Sequence, residues 1–380
     1  MHNYILFSFF IYFNLIAPVF PIQISNEYNN LISWIEENGG FISKKIHPNE
    51  TSLYNRVMKS NSSISKGELL SFIPEKIVLS SIHPLLNEVC RNAYGLYHKL
   101  DLECITLFIS YDKYNKSSFF RPYYDYLPKL DIKIFPSEYE KEKLDLYEEL
   151  EFDLYVGISN NKLKNGFNED VEKILEKKGI KNPFEEFKYN YYLVKSRNFA
   201  RPGSEFFFDL NSCVPFIELF NHDIEFNTDW GFDSDKKGFY LKAVKDIKIG
   251  EELTTTYGEQ NNINLFMDYG FTLSYNKFKN PIRIKIGEFR YTFYPSNNEE
   301  KNIKEVLNAI KSLKEIFGFE KKKDKFIYNL LIKTLEEKIE KIMLIEKSDI
   351  NIINIIEEIT ISLKEYIKIL NDLIYQLDNI

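Results

Sequence analysis

Cysteine is scarce in this chain of 380 residues: Cys90, Cys104 and Cys213 stand far apart, are odd in number and form no C-x-x-C pair. That spacing leads us to expect neither a disulfide framework nor a zinc site. Cationic charge is also in short supply, with 49 Lys and Arg against 56 Asp and Glu and a net charge of -7. Phosphate binding needs clustered cations that release counterions, so a broad nucleic-acid surface is excluded and neutral or basic partners are favoured. No internal repeat recurs at a fixed period. What the chain does hold is apolar bulk, 44% hydrophobic and 16% aromatic residues, enough to bury a large core or two modest ones.

The only long apolar run lies at the N-terminus, "YILFSFFIYFNLIAPVF", close in length to a signal-peptide core and short for a membrane span. Ala17 and Pro18 mark a cleavage zone, but His2 is the only flanking cation. Two readings of residues 1–24 therefore stand: a signal peptide or anchor, or a buried or mis-started segment. Beyond it, residues 28–79 read as a short helix, a turn at Gly39 and Gly40, and short strands punctuated at Pro48, Gly67 and Pro74. Helical spacing dominates 80–195, and strand-like segments return over 196–275. In 280–380, "KNPIRIKIGEFRYTFYP" alternates as a hairpin does and the remainder is helical. Ile303, Val306, Leu307, Ile310, Leu313 and Ile316 form one stripe there, and Ile359, Leu363, Ile367 and Leu370 another.

Within the run "CVPFIELFNHDIEF" (213–226), an acid, an amide and an imidazole, Glu218, Asn221 and His222, interrupt apolar and aromatic sequence. Buried polar groups must be hydrogen-bonded, so these residues either satisfy their own backbone or present donors and acceptors to a ligand. Metal binding is not expected: strand alternation sets Asp223 on the face opposite His222, and no second histidine cluster appears.

Other stretches keep company with this one. "VKSRNF" upstream and "GEELTTTYGEQNNINLFMDYGF" downstream, together with "FNH", resemble the SET-domain protein methyltransferases. The branch is that of the Rubisco large-subunit lysine methyltransferase and the actin-histidine methyltransferase. "WIEENGGFIS", "KGELLSFIPEKIVLS", "SSFFRPYYDYLPK" and "FEEFKYNYYLVKSRNF" follow in the family order, so the resemblance spans about residues 28 to 275. It implies an α+β fold: small β-sheets with a pseudoknot, split by a helical insertion at 80–195 and followed by an α-helical substrate-binding-like domain over 280–380. It also implies S-adenosylmethionine as cofactor and a protein substrate, most simply a lysine of a non-histone protein, with histidine as the other acceptor. A catalytically inactive, protein-binding SET-like module is the alternative. The family address is cytoplasm or nucleus, whereas the N-terminal run points to the secretory pathway.

By position, Tyr257 matches the family's catalytic tyrosine, Asn221 and His222 the pair that contacts the cofactor, and Arg197 the arginine beside it. Tyr269 matches a residue of the acceptor channel, and Trp230 and Phe271 are the further rings that could line an apolar passage. Such a passage disfavours the charged ammonium of an incoming lysine. The chain departs from the family at three places. Asn55 and Arg56 stand where a glycine-rich turn lets backbone approach the cofactor, Glu218 stands where aspartate precedes the Asn-His pair, and Asn261 replaces a serine before Asn262.

Overall fold

In a computed structural model of the chain, the structure describes residues 25–50, 56–95, 101–150, 152–201, 210–318, 324–347 and 349–378. The apolar run of residues 1–24 and Asn55 lie outside the described residues. No helix among the described residues is long and apolar enough to cross a membrane.

Helix α1 (Asn26–Glu37) starts where the Ser25 hydroxyl accepts from the Tyr28 amide at 3.2 Å, and it buries Tyr28, Leu31, Trp34 and Ile35 on one face. It stops at Gly39, with φ of 83°, and Gly40 then passes so close to the Ile35 and Phe72 carbonyls that a Cβ would meet each at 2.9 Å. Short strands follow: β1 (Phe41–Ile42), β2 (Ile46–Glu50), β3 (Arg56–Ser60), β4 (Leu69–Pro74) and β5 (Leu79–Ser80). The helical stretch comprises α2 (Pro84–Tyr94), α3 (Asp101–Asp112), α4 (Arg121–Tyr126), α5 (Lys141–Asp145), α6 (Phe152–Gly166), α7 (Glu169–Lys177) and α8 (Pro183–Lys195). Strands resume with β6 (Asn198–Arg201), β7 (Leu210–Cys213), β8 (Asn221–His222), β9 (Thr228–Asp233), β10 (Gly238–Ala243) and β11 (Thr254–Thr255). Beyond them come α9 (Asn262–Tyr269), the hairpin β12 (Ile282–Ile286) and β13 (Phe289–Phe293), and the long helices α10 (Glu299–Phe317), α11 (Asp324–Met343) and α12 (Ile350–Asp378).

The sheets are small and draw on distant parts of the chain. One has the antiparallel order β1-β4-β10-β9, so strands before and after the helical stretch share a ladder. Another has the order β5-β7-β6. Strand β8 pairs in parallel with β11, Thr254 beside Asn221 and Thr255 beside His222. Next to this pair, the Leu253 amide donates to the Met58 carbonyl at 2.7 Å, which lays the approach to β11 against β3.

Among the described residues, three apolar clusters fill the interior. The first joins α1, the sheets, α3 and α4; the second joins the hairpin and α10 to α12; the third lies among the helices around Leu107, Val171 and Phe187. Tyr147, Leu150, Phe152 and Val156, from the helical stretch, pack in the second cluster with the C-terminal helices. The stripe on α10 is narrower than its spacing suggests. Val306, Ile310 and Leu313 are buried, but Leu307 is 45% and Ile316 61% exposed, because only about a third of the helix circumference faces α12.

The cysteine expectation is corrected. Cys90 on α2 and Cys104 on α3 form a disulfide with Cα atoms 5.5 Å apart, and Cys213 is free and buried. Tertiary packing of α2 against α3 sets that proximity, and residue count and spacing do not encode it.

Candidate functional site

The site is built where β8 and β11 run side by side. Asn227 fixes this pairing: its Oδ1 accepts from the Thr254 amide at 2.9 Å and its Nδ2 donates to the Glu252 carbonyl at 2.8 Å. Asn221 donates through Nδ2 to the Glu252 carboxylate at 2.9 Å and to the Arg56 carbonyl at 3.4 Å, so its amide spans β3 and the segment before β11. His222 Nδ1 accepts from the Tyr257 amide at 3.1 Å. Burial lowers the pKa of His222, which keeps the ring neutral at pH 7 with its proton on Nε2.

Tyr257 is enclosed by rings. It stacks on His222 at 5.1 Å, lies 4.8 Å from Tyr269 and meets Phe271 edge-on at 6.4 Å. Its hydroxyl donates to the Phe220 carbonyl at 2.9 Å. Burial pushes its pKa up to about 12, outweighing the opposing pull of Arg197, so the phenol stays protonated at neutral pH. The position of Tyr269 and Phe271 is set by α9 and the turn after it. Asn261 caps α9 by accepting from the Asn264 amide at 2.9 Å. Buried Asn262 bonds both to the amide and to the carbonyl of Leu273, each at 3.0 Å, and so ties the turn after α9 to the start of that helix. Gly270 ends the helix with φ of 78° and turns the chain toward Phe271.

Glu218 forms the floor. It sits in the turn Ile217–Leu219, 5% exposed, with Oε2 accepting from the Tyr123 hydroxyl at 2.6 Å. Arg197 donates from a terminal nitrogen to the Glu218 main-chain carbonyl at 3.1 Å. Burial raises the Glu218 pKa to about 7 against the lowering effects of Arg197, the Tyr123 hydrogen bond and Arg56.

The structure thus brings Arg197, Glu218, Asn221, His222, Tyr257, Tyr269 and Phe271 together. Trp230 is set apart: it stands on β9, edge-on to Phe199 at 4.9 Å and tilted to Phe239 at 6.2 Å. Arg56 points to α4, its guanidinium 3.8 Å from the centre of the Tyr126 ring and donating to the Tyr126 carbonyl at 2.9 Å. Tyr123 was not singled out from the sequence, although "FFRPYYDYLPK" was. Its partner lies 95 positions away, and nothing local tells which of Tyr123, Tyr124 and Tyr126, all buried, reaches the acid.

Among the described residues, three polar atoms of this region are buried with no hydrogen-bond partner: Arg197 Nε, His222 Nε2 and Thr255 Oγ1. Orphaned buried donors cost about 1–3 kcal/mol each, which a polar ligand would relieve. Donors, an amide and clustered aromatic rings fit a cofactor that has polar ends and a cationic sulfonium centre.

The model of the SET domain family matches residues 55–258. SET domain-containing protein 4 of Artemia parthenogenetica is 22% identical over 69% of this chain and 66% of its own length. The ribosomal lysine N-methyltransferase set11 of Schizosaccharomyces pombe is 24% identical over 67% of this chain and 64% of its own. The chloroplastic [fructose-bisphosphate aldolase]-lysine N-methyltransferase of Arabidopsis thaliana is 23% identical over 66% and 53%. The chain therefore spans between about half and two thirds of these relatives. Among solved structures, the SET domain of LSMT bound to lysine and AdoHcy superposes with a TM-score of 0.62 at 14% identity, covering 94% of both chains. Rubisco LSMT bound to AdoMet gives 0.62 at 15% identity, again over 94% of both. The expected α+β architecture of small sheets with a helical C-terminal region is the observed one.

Proposed function

Because the chain belongs to the SET-domain family, we propose that it transfers a methyl group from S-adenosylmethionine to a side-chain nitrogen of a protein, the acceptor being a lysine of a non-histone protein. One observation carries this reading: Tyr257 lies inside a cage of His222, Tyr269 and Phe271, beside three buried polar atoms without partners. Two of the relatives described above are lysine methyltransferases, which supports the choice of acceptor.

When bound, the cofactor supplies a methyl carbon activated by its sulfonium. The residues that would hold it are Asn221 and His222 on β8, with His222 Nε2 and Arg197 Nε as free donors and Tyr257 beside the methyl position. The chain's task is then to hold donor and acceptor in line and to deliver the amine uncharged. Lysine has an unperturbed pKa of about 10.4, so the ammonium must lose a proton before it can attack. Tyr269 and Phe271, meeting at 6.2 Å, make one wall of a passage in which the charged form is disfavoured by desolvation. Tyr257, with its hydroxyl protonated and committed to the Phe220 carbonyl, orients and polarises and does not take the proton.

The test is calorimetric titration of the folded protein with S-adenosylmethionine, followed by incubation with methyl-labelled cofactor and its own cell extract and mapping of the labelled residue. We expect saturable binding and label on lysine. Folded protein that takes up no cofactor would overturn the reading, and label on histidine would change the acceptor.

A further inference from the structure

Chemistry at Tyr257 leaves a buried acid beside it unused. The chain reaches that acid through an unusual bend. Phe216 has φ of 71° and ψ of -49°, and the Ile217 amide donates to the Pro215 carbonyl at 2.9 Å, which together make a γ-turn. A bulky residue in this region costs about 1–3 kcal/mol and persists only where its surroundings over-determine it. Here a fully buried Phe216 ring supplies that constraint, and the bend aims Glu218 inward. Two residues later, the Phe220 carbonyl takes the Tyr257 hydroxyl, so the acid and the ring at the centre of the site hang from one turn. Of the carboxylate oxygens, Oε2 is held by Tyr123 at 2.6 Å and Oε1 accepts from no described residue.

We propose that Glu218 is the proton acceptor of the transfer and Tyr123 its positioning residue, the Tyr123 hydroxyl pinning one oxygen so that the other meets the substrate ammonium. The N–H bond of the ammonium breaks with its electron pair left on nitrogen, and the proton passes to the carboxylate, giving neutral amine and carboxylic acid. The amine lone pair forms the new N–C bond as the methyl's C–S bond breaks with its electron pair left on sulfur, giving a methylammonium and S-adenosylhomocysteine, and the carboxylic acid returns its proton to water as product leaves. The inference rests on the methyltransferase reading.

The groups facing Glu218 are Tyr123 from α4, Cys213 from β7, Arg197 from the end of α8, Arg56 from β3 and Tyr257 after β11. Burial sets its pKa at about 7, where a base can both take and release a proton at neutral pH.

The test uses the full chain with methyl-labelled S-adenosylmethionine and the extract proteins as acceptor, with initial rates taken from pH 5.5 to 9. Wild type should show a rising limb with a midpoint near 7. Glu218→Gln should lose the limb and run at least about a hundredfold slower, as removal of a general base does. Glu218→Asp should keep the limb at reduced rate. Tyr123→Phe should lower the rate at saturating cofactor and shift the limb, with calorimetric cofactor affinity unchanged. Independently of activity, carbon NMR of glutamate-labelled protein should show a carboxyl titrating near 7 that is absent from Glu218→Gln and displaced in Tyr123→Phe. A Glu218→Gln enzyme with the wild-type rate and profile overturns the inference alone, as does an unmoved limb and carboxyl signal in Tyr123→Phe. Wild type that neither binds cofactor nor labels protein overturns the methyltransferase reading as well.

Discussion

At the scale of single residues, Tyr257 combines two roles that one substitution can separate. Tyr257→Phe keeps the ring between His222 and Tyr269 and removes only the hydroxyl donated to Phe220. We expect cofactor affinity within about twofold of wild type, stability lower by about 1 kcal/mol for the lost hydrogen bond, and methyl transfer reduced at least tenfold. Calorimetry, thermal melts and labelling rates report the three quantities, and wild-type activity would contradict the assigned role. Tyr257, Asn221, His222 and Arg197 were legible in the sequence because each sits in a short motif with fixed neighbours. Tyr123 was not, since its hydrogen bond joins a helix to a turn far along the chain, and no period or propensity reports a hydroxyl's direction. Trp230 shows the converse: an aromatic residue near the motifs in sequence, drawn by strand pairing with Leu241 into a different ring cluster. Gly40 was legible as part of a turn but not for its function in packing. Gly40→Ala should lower stability by about 1–3 kcal/mol, because the new methyl meets backbone carbonyls and the Ile35 side chain, which a urea melt would measure.

Among the elements, α4 does more than its six residues suggest. It sends Tyr123 to the acid and receives the Arg56 guanidinium on Tyr126, so the arginine that stands near an expected glycine turn is drawn to this helix. The sequence indicated the helices of residues 80–195 by their spacing, but it did not show that α2 and α3 are bonded through Cys90 and Cys104. That disulfide closes a loop of sequence separation 14, for which chain-entropy reasoning gives about 3 kcal/mol. Reductant, or Cys90→Ser, should therefore lower the melting temperature, and the two treatments should not add. A melt unchanged by reductant under conditions where mass spectrometry shows both thiols free would contradict this.

For the whole molecule, two buried acids set how stability varies with pH. Burial raises Glu218 and Glu358 to about 7 each, the latter on α12 accepting from the Asn280 amide at 2.5 Å. A carboxyl whose folded pKa lies above its unfolded value binds more protons in the native state. Its stability contribution is thus full below pH 4.5 and is lost as pH climbs toward 7, by about 3 kcal/mol for each acid. Melting temperature should fall across that window, and a Glu218→Gln, Glu358→Gln double variant should flatten the slope. Equal slopes in the two proteins would show that these acids are not responsible.

The parallel pairing of β8 with β11 has one more consequence, for the order of events when the chain acquires its shape. Helices close contacts between near neighbours within microseconds, whereas a parallel ladder between separated strands must first close the loop between them. After dilution from denaturant, ellipticity should recover first, and the capacity to bind cofactor should return in a later, slower phase. A newly made chain would then spend its earliest moments helical but inert.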